Sequence, residues 1–134
     1  MTPPSEGHLP VASETDIVLA RQQVRKLTQE LKFSLVDQTK MITAASELAR
    51  NTLIYGGGGA MEWSLVHNGV RSGLRLSFVD QGPGIPDLDL ALKDGWTSGG
   101  GLGMGLSGSK RLVNEFEIDT AVGRGTRVTI TRWK

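Results

Sequence analysis

A two-layer α/β sandwich, with helices on one face of a mixed β-sheet, is the fold class this sequence predicts. Three observations point to it: two long segments whose apolar residues recur every three or four positions, shorter extended segments after them, and glycine clusters between the two kinds of pattern. With 134 residues the chain is long enough for one domain with a core and too short for two comfortable ones.

Residues 1–10, MTPPSEGHLP, carry neither a positive n-region nor an apolar h-region, so they read as a flexible N-terminal tail, and residues 11–134 read as the domain. Val11 to Ser13 suggests a short first strand. From Thr15 to about Leu31, Ile17, Leu19, Ala20, Val24, Leu27 and Leu31 form an amphipathic helical pattern, with Ser13 or Thr15 as its cap. A second helix spans about Val36 to Tyr55, with Met41, Ala45, Leu48, Thr52 and Tyr55 on one stripe; the run Gly56 to Gly59 stops it. Ala60 to Val66 and Leu74 to Asp80 read as strands joined by the turn-like segment around Asn68-Gly69. Asp87 to Lys93 suggests a short helix, Gly99 to Gly105 no regular structure, and Leu106 to Asn114 another helix. Glu115 to Ala121 and Thr126 to Trp133 are strands about a Gly123-Arg124-Gly125 turn.

Fifteen Lys and Arg against fourteen Asp and Glu leave no basic stripe for a phosphate backbone, which argues against nucleic acid as a partner. No apolar run is long enough to span a bilayer, and the absence of cysteine excludes thiolate chemistry and suits a cytoplasmic setting.

Three clusters carry chemical interest, and each has an ordinary structural explanation beside it. Glu47 and Asn51 are spaced i and i+4 on the second helix, so both can reach one ligand; they also fit a solvated polar face beside Arg50. Asp80-Gln81-Gly82-Pro83-Gly84 follows a strand directly. Its carboxylate can accept from a purine amino group while Gly82 and Gly84 let a flat ligand approach the backbone, but the same string makes a tight turn without any ligand. Gly99 to Gly105 opens into a helix bearing Lys110 and Arg111; bare N–H groups at such a place suit phosphate, and a flexible loop suits the composition equally. Leu102, Met104 and Leu106 alternate with the glycines there, which a plain linker does not need.

Gly103-Met104-Gly105-Leu106-Ser107-Gly108 spells G-x-G-x-x-G, but glycine rather than a strand precedes it, so the dinucleotide-binding context is missing. No Walker A string and no V-A-I-K, H-R-D or D-F-G segment occurs.

Taken in order, E-L-A-R-N, D-Q-G-P-G-I, G-L-G-M-G-L and G-R-G-T resemble the boxes of the GHKL (Bergerat-fold) ATP-binding superfamily. The wording around them is similar to the RsbT-like branch of anti-sigma-type serine/threonine kinases, over about Thr15 to the last residue. The resemblance implies an ATP-dependent protein kinase using magnesium. It gives Glu47 as general base, Asn51 as the magnesium ligand, and Asp80 as holder of the adenine amino group with Gly82 and Gly84 lining the base. It gives Gly101, Leu102, Gly103, Met104, Gly105 and Leu106 as the lid over the triphosphate, Lys110 and Arg111 as phosphate neighbours, and Thr126 as a contact near the adenine. The resemblance also implies a STAS-domain antagonist as substrate, a PP2C-type phosphatase as second partner, and a role in bacterial stress signalling by partner switching. Two alternatives stay open on the residues: a non-catalytic ATP-binding switch, and an isolated histidine-kinase ATPase domain, for which only His8 and His67 are available.

Overall fold

Each long helix starts where a short hydroxyl side chain can replace the missing helical acceptor. In α1 (Glu14–Glu30) the Ser13 hydroxyl accepts from the Asp16 amide at 3.2 Å, and in α2 (Leu35–Ile54) the Ser34 hydroxyl accepts from the Asp37 amide at 3.1 Å. Between them Lys32 takes a left-handed conformation, φ 62°, that lets the amides of Lys32 and Phe33 close on the carbonyls of Gln29 and Thr28. The chain thereby reverses, and the buried stripes of both helices, Ile17, Ala20, Val24 and Leu27 on one and Met41, Ala45, Leu48 and Thr52 on the other, face the core.

The computed structural model describes residues 5–85 and 105–134. Besides the two long helices these contain β1 (Glu6–Val11), β2 (Gly59–His67), β3 (Ser72–Asp80), α3 (Gly105–Arg111), β4 (Glu115–Ala121) and β5 (Gly125–Trp133). The strands form one sheet in the order β1-β2-β3-β5-β4, and α1 and α2 pack together over it. The two-layer α/β sandwich is therefore as the sequence predicts.

The expected mixed sheet is corrected, because every strand pair is antiparallel. Strands β3 and β4 do run in the same direction, as a helical crossover between them requires, but β5 sits between the two and opposes both. Residues 6–10, read as tail, instead form most of β1 and pair with β2 from Glu6↔Ser64 to Val11↔Gly59. Gly7 and Pro10 blur the alternation that would have announced this strand, and Pro10 is tolerated because β1 lies at the sheet edge. Tyr55, placed on the apolar stripe of the second helix, is 39% exposed: it is the cap residue after Ile54, at the exposed end of the helix. The last helix stops at Arg111 rather than Asn114, because the Asn114 amide already bonds to the Thr131 carbonyl as the chain joins the sheet. The expected helix over residues 87–93 lies outside the described residues.

On the helix-facing side of the sheet the register lines up apolar rows. Leu9, Met61, Phe78, Val128 and Ile118 form one, and Trp63, Leu76, Ile130 and Phe116 the next. The opposite face is polar, as expected for an antiparallel sheet covered on one side. There Arg127 pairs with Glu62 at 2.8 Å and Ser77 bonds Thr129 at 2.9 Å. Among the described residues no helix is long and apolar enough to cross a membrane.

Candidate functional site

One step further along the same sheet face, the row after Met61–Phe78–Val128–Ile118 is Gly59, Asp80, Thr126 and Thr120. The period of two forces this: each residue lies two positions from a core residue, so its side chain points to the same side. Core thus gives way to a polar floor at the end of the sheet where α2 terminates.

The run Gly56 to Gly59, which the sequence presents only as a helix stop, shapes that end. A methyl at Gly56 would lie 2.4 Å from the Asp80 carboxyl carbon, and one at Gly59 would lie 1.9 Å from the Val79 carbonyl oxygen. Gly57 and Gly58 have φ of 74° and 103°, which only glycine adopts without strain. The run therefore lets the end of α2 close directly onto the Asp80 side chain. Asp80 is half-buried, and one of its oxygens accepts from the Gly82 amide at 2.9 Å. A Cβ at Gly82 would in turn meet the Gly56 backbone at 2.8 Å. Bare backbone thus surrounds the carboxylate on two sides.

The turn after β3 is fastened to the β4–β5 hairpin. The Gly123 amide donates to the Pro83 carbonyl at 2.9 Å, the Ile85 amide donates to the Thr120 hydroxyl at 2.9 Å, and Gly84, φ 79°, approaches the Ala121 carbonyl so closely that a Cβ would lie 2.2 Å from it. Thr126, opposite Asp80 in the β3–β5 register, shares a hydrogen bond of 2.8 Å with Thr120.

Asp80, Gly82 and Thr126 therefore come together, with Gly84 beside them. Asn51 lies in the last turn of α2, where its backbone carbonyl accepts from the amides of Tyr55 and Gly56; Glu47 lies one turn earlier, and both side chains are half-buried. Gly105 opens α3, which packs against α2, and Leu106 is buried in the core. Lys110 and Arg111 are exposed in the last turn of α3, where cations complement the helix dipole; this is the end of the helix that does not attract phosphate. Gly101, Leu102, Gly103 and Met104 lie outside the described residues. Thr120 escaped the sequence reading, which takes Gly56 only as a helix stop, although Thr120 and Thr126 flank the hairpin turn symmetrically and could have been paired from it.

The donor chemistry suits a nucleotide. An acceptor-only carboxylate framed by backbone that a Cβ would obstruct matches a flat base carrying an amino group, while the described residues hold no group of three or more His, Cys, Asp or Glu able to cage a metal. A hard cation that keeps water and phosphate oxygens in most positions needs no such cage.

The chain belongs to the histidine kinase-, DNA gyrase B- and HSP90-like ATPase family, whose model matches residues 36–134, and its fold is that of an ATP-binding domain. Within that family it is a protein serine/threonine kinase of the RsbT-like branch, an ATP-using phosphotransferase. Serine/threonine-protein kinase RsbT of Bacillus subtilis (strain 168) is 44% identical over 123 residues, 92% of each chain. Two solved structures share the fold. The RsbU and RsbW domains of Rv1364c from Mycobacterium tuberculosis match with a TM-score of 0.67 at 22% identity, over 98% of this chain and 33% of that one, so this chain spans about a third of it. A mycobacterial sensor histidine kinase, MprB, matches with a TM-score of 0.57 at 18% identity over 96% of this chain and 97% of that one. At those identities the two structures speak for the fold alone. His8 lies on β1 and His67 ends β2, so neither stands on a helix.

Proposed function

We propose that this chain transfers the terminal phosphoryl group of magnesium-ATP to a serine of a STAS-domain antagonist, and that it also engages a PP2C-type phosphatase in a cytoplasmic partner-switching module of stress signalling. The observation that carries the nucleotide part is the polar row Gly59–Asp80–Thr126–Thr120 beneath the end of α2, with Gly56 packed against the Asp80 carboxylate. The partner part is supported by the resemblance of this chain, over 92% of its length, to an RsbT kinase.

In this reading Asp80 accepts from the adenine amino group, Thr126 contacts the base beside it, and Gly82 and Gly84 leave its faces open. Asn51 offers an amide oxygen to magnesium, which supplies charge neutralisation at the phosphates. Glu47 takes the proton of the acceptor hydroxyl. Phosphoryl transfer needs chiefly positioning and charge compensation, so a small domain suffices once a folded partner brings the hydroxyl.

The test is incubation with labelled ATP, magnesium and a candidate STAS-domain protein, with mass spectrometry of the acceptor. Glu47→Ala is expected to keep ATP binding and to lower the transfer rate by about 10²–10⁴-fold, the range for loss of a general base. A variant that labels its partner at the normal rate removes Glu47 from that role.

A further inference from the structure

We propose that Thr120 is a positioning residue for the nucleotide base, setting the Thr126 hydroxyl and the turn after β3 relative to each other through one oxygen; this rests on the reading of Asp80 and Thr126 as base contacts. The Thr120 hydroxyl is the meeting point of three groups. It accepts from the Ile85 amide at 2.9 Å, lies 2.8 Å from the Thr126 hydroxyl, and donates to the Gly125 carbonyl at 3.2 Å. A hydroxyl has one proton and two acceptor positions, so these neighbours occupy its bonding capacity. Ile85 belongs to the segment that begins with Asp80, whereas Gly125 and Thr126 belong to β5. Thr120 therefore couples the carboxylate side of the base pocket to its hydroxyl side.

The coupling fixes directions as well as distances. When Thr120 gives its proton to the Gly125 carbonyl, Thr126 turns its own proton toward Thr120 and shows lone pairs outward. When Thr120 gives its proton to Thr126, the Thr126 proton points away from Thr120. A neighbour without a hydroxyl leaves this rotor unset and the Ile85 amide without its acceptor. A second tie, from the Gly123 amide to the Pro83 carbonyl at 2.9 Å, keeps the turn on the hairpin, so losing the Thr120 hydroxyl loosens the pocket without releasing it.

Titration calorimetry with ATP and magnesium, alongside thermal melts of the nucleotide-free protein, tests this. Thr120→Val keeps the shape and removes the hydroxyl; it is expected to weaken ATP about fivefold, the worth of roughly one neutral hydrogen bond. Thr120→Ser is expected to restore affinity to within about twofold, since serine keeps the three bonds. Thr120→Val together with Thr126→Val is expected to be no weaker than the worse single variant, because each acts through the other. Unchanged ATP affinity in Thr120→Val, failure of serine to restore it, or additive losses in the double variant would overturn the proposal. Asp80→Asn is measured in parallel: if it binds ATP normally, the base-contact reading falls and the Thr120 role with it. A loss at Asp80 with none at Thr120 removes the Thr120 role alone.

Discussion

Two neighbouring rows on the helix-facing side of the sheet differ by a single repeat of the strand and do opposite work. Met61, Phe78, Val128 and Ile118 fill the core beneath α1 and α2, and Phe78 is 1% exposed. Gly59, Asp80, Thr126 and Thr120, two residues along each strand, are glycine or hydrogen-bonding side chains at the open end. Both rows share backbone ladders, so strand register, rather than any one core side chain, sets where the polar atoms of the second row lie. In the proposed reading, stability and ligand recognition are separated by about 7 Å along each strand without a hinge between them.

The sharpest way to break that separation is Phe78→Ala, which empties the middle of the core row. It is expected to cost about 3–5 kcal/mol in denaturant unfolding while leaving ATP affinity of the folded fraction nearly unchanged. Asp80→Asn should do the reverse. Replacing a charged acceptor by an amide forfeits about 1.5–3 kcal/mol, roughly tenfold or more in ATP affinity by calorimetry, with little change in the unfolding midpoint. If the melt moves and the affinity does not, the polar row is part of the core and the comparison fails. Gly56→Ala sharpens it further, since its methyl meets the Asp80 carboxyl at 2.4 Å. Overpacking of this kind costs about 1–3 kcal/mol, and here it is expected as weaker ATP binding more than as lower stability.

The smallest effect is set away from both rows. Arg132 bonds Asp37 at the start of α2 and also the Leu112 carbonyl just after α3. The hydrogen bond from Arg132 holds the Asp37 carboxyl below its ordinary pKa, outweighing the opposing effect of burial. A carboxylate whose pKa is lowered by folding contributes stability above its unfolded pKa, near 4, and loses it as the pH falls through the lower folded value. Asp37→Asn is therefore expected to flatten the acid limb of melting temperature against pH below about 4. A limb of unchanged slope would place the acid sensitivity elsewhere.

Much of this was legible in the residues. The two helices and four of the strands follow from periodicity, and the strings that carry Asp80, Gly82 and Thr126, which the structure brings together, stand out in the sequence. What escaped depended on register. The edge strand β1 was hidden by Gly7 and Pro10, although Leu9 and Val11 already alternate toward the core. The antiparallel order could not be read because local pattern gives no partner for a strand. Gly56 and Gly59 looked like a loose helix end, since their need for a missing Cβ comes from Asp80 and Val79, twenty or more residues on. Thr120 gave no signal alone; its role exists only once the hairpin brings Thr126 beside it and Ile85 above it.

The insertion of β5 between β3 and β4 reaches into biosynthesis. While the chain is being made, β4 has no neighbour to pair with, and β3 keeps one edge bare, until the residues from Gly125 to Trp133 emerge and wedge between them. Nascent protein therefore passes through an interval in which two unpaired edges invite association with other chains.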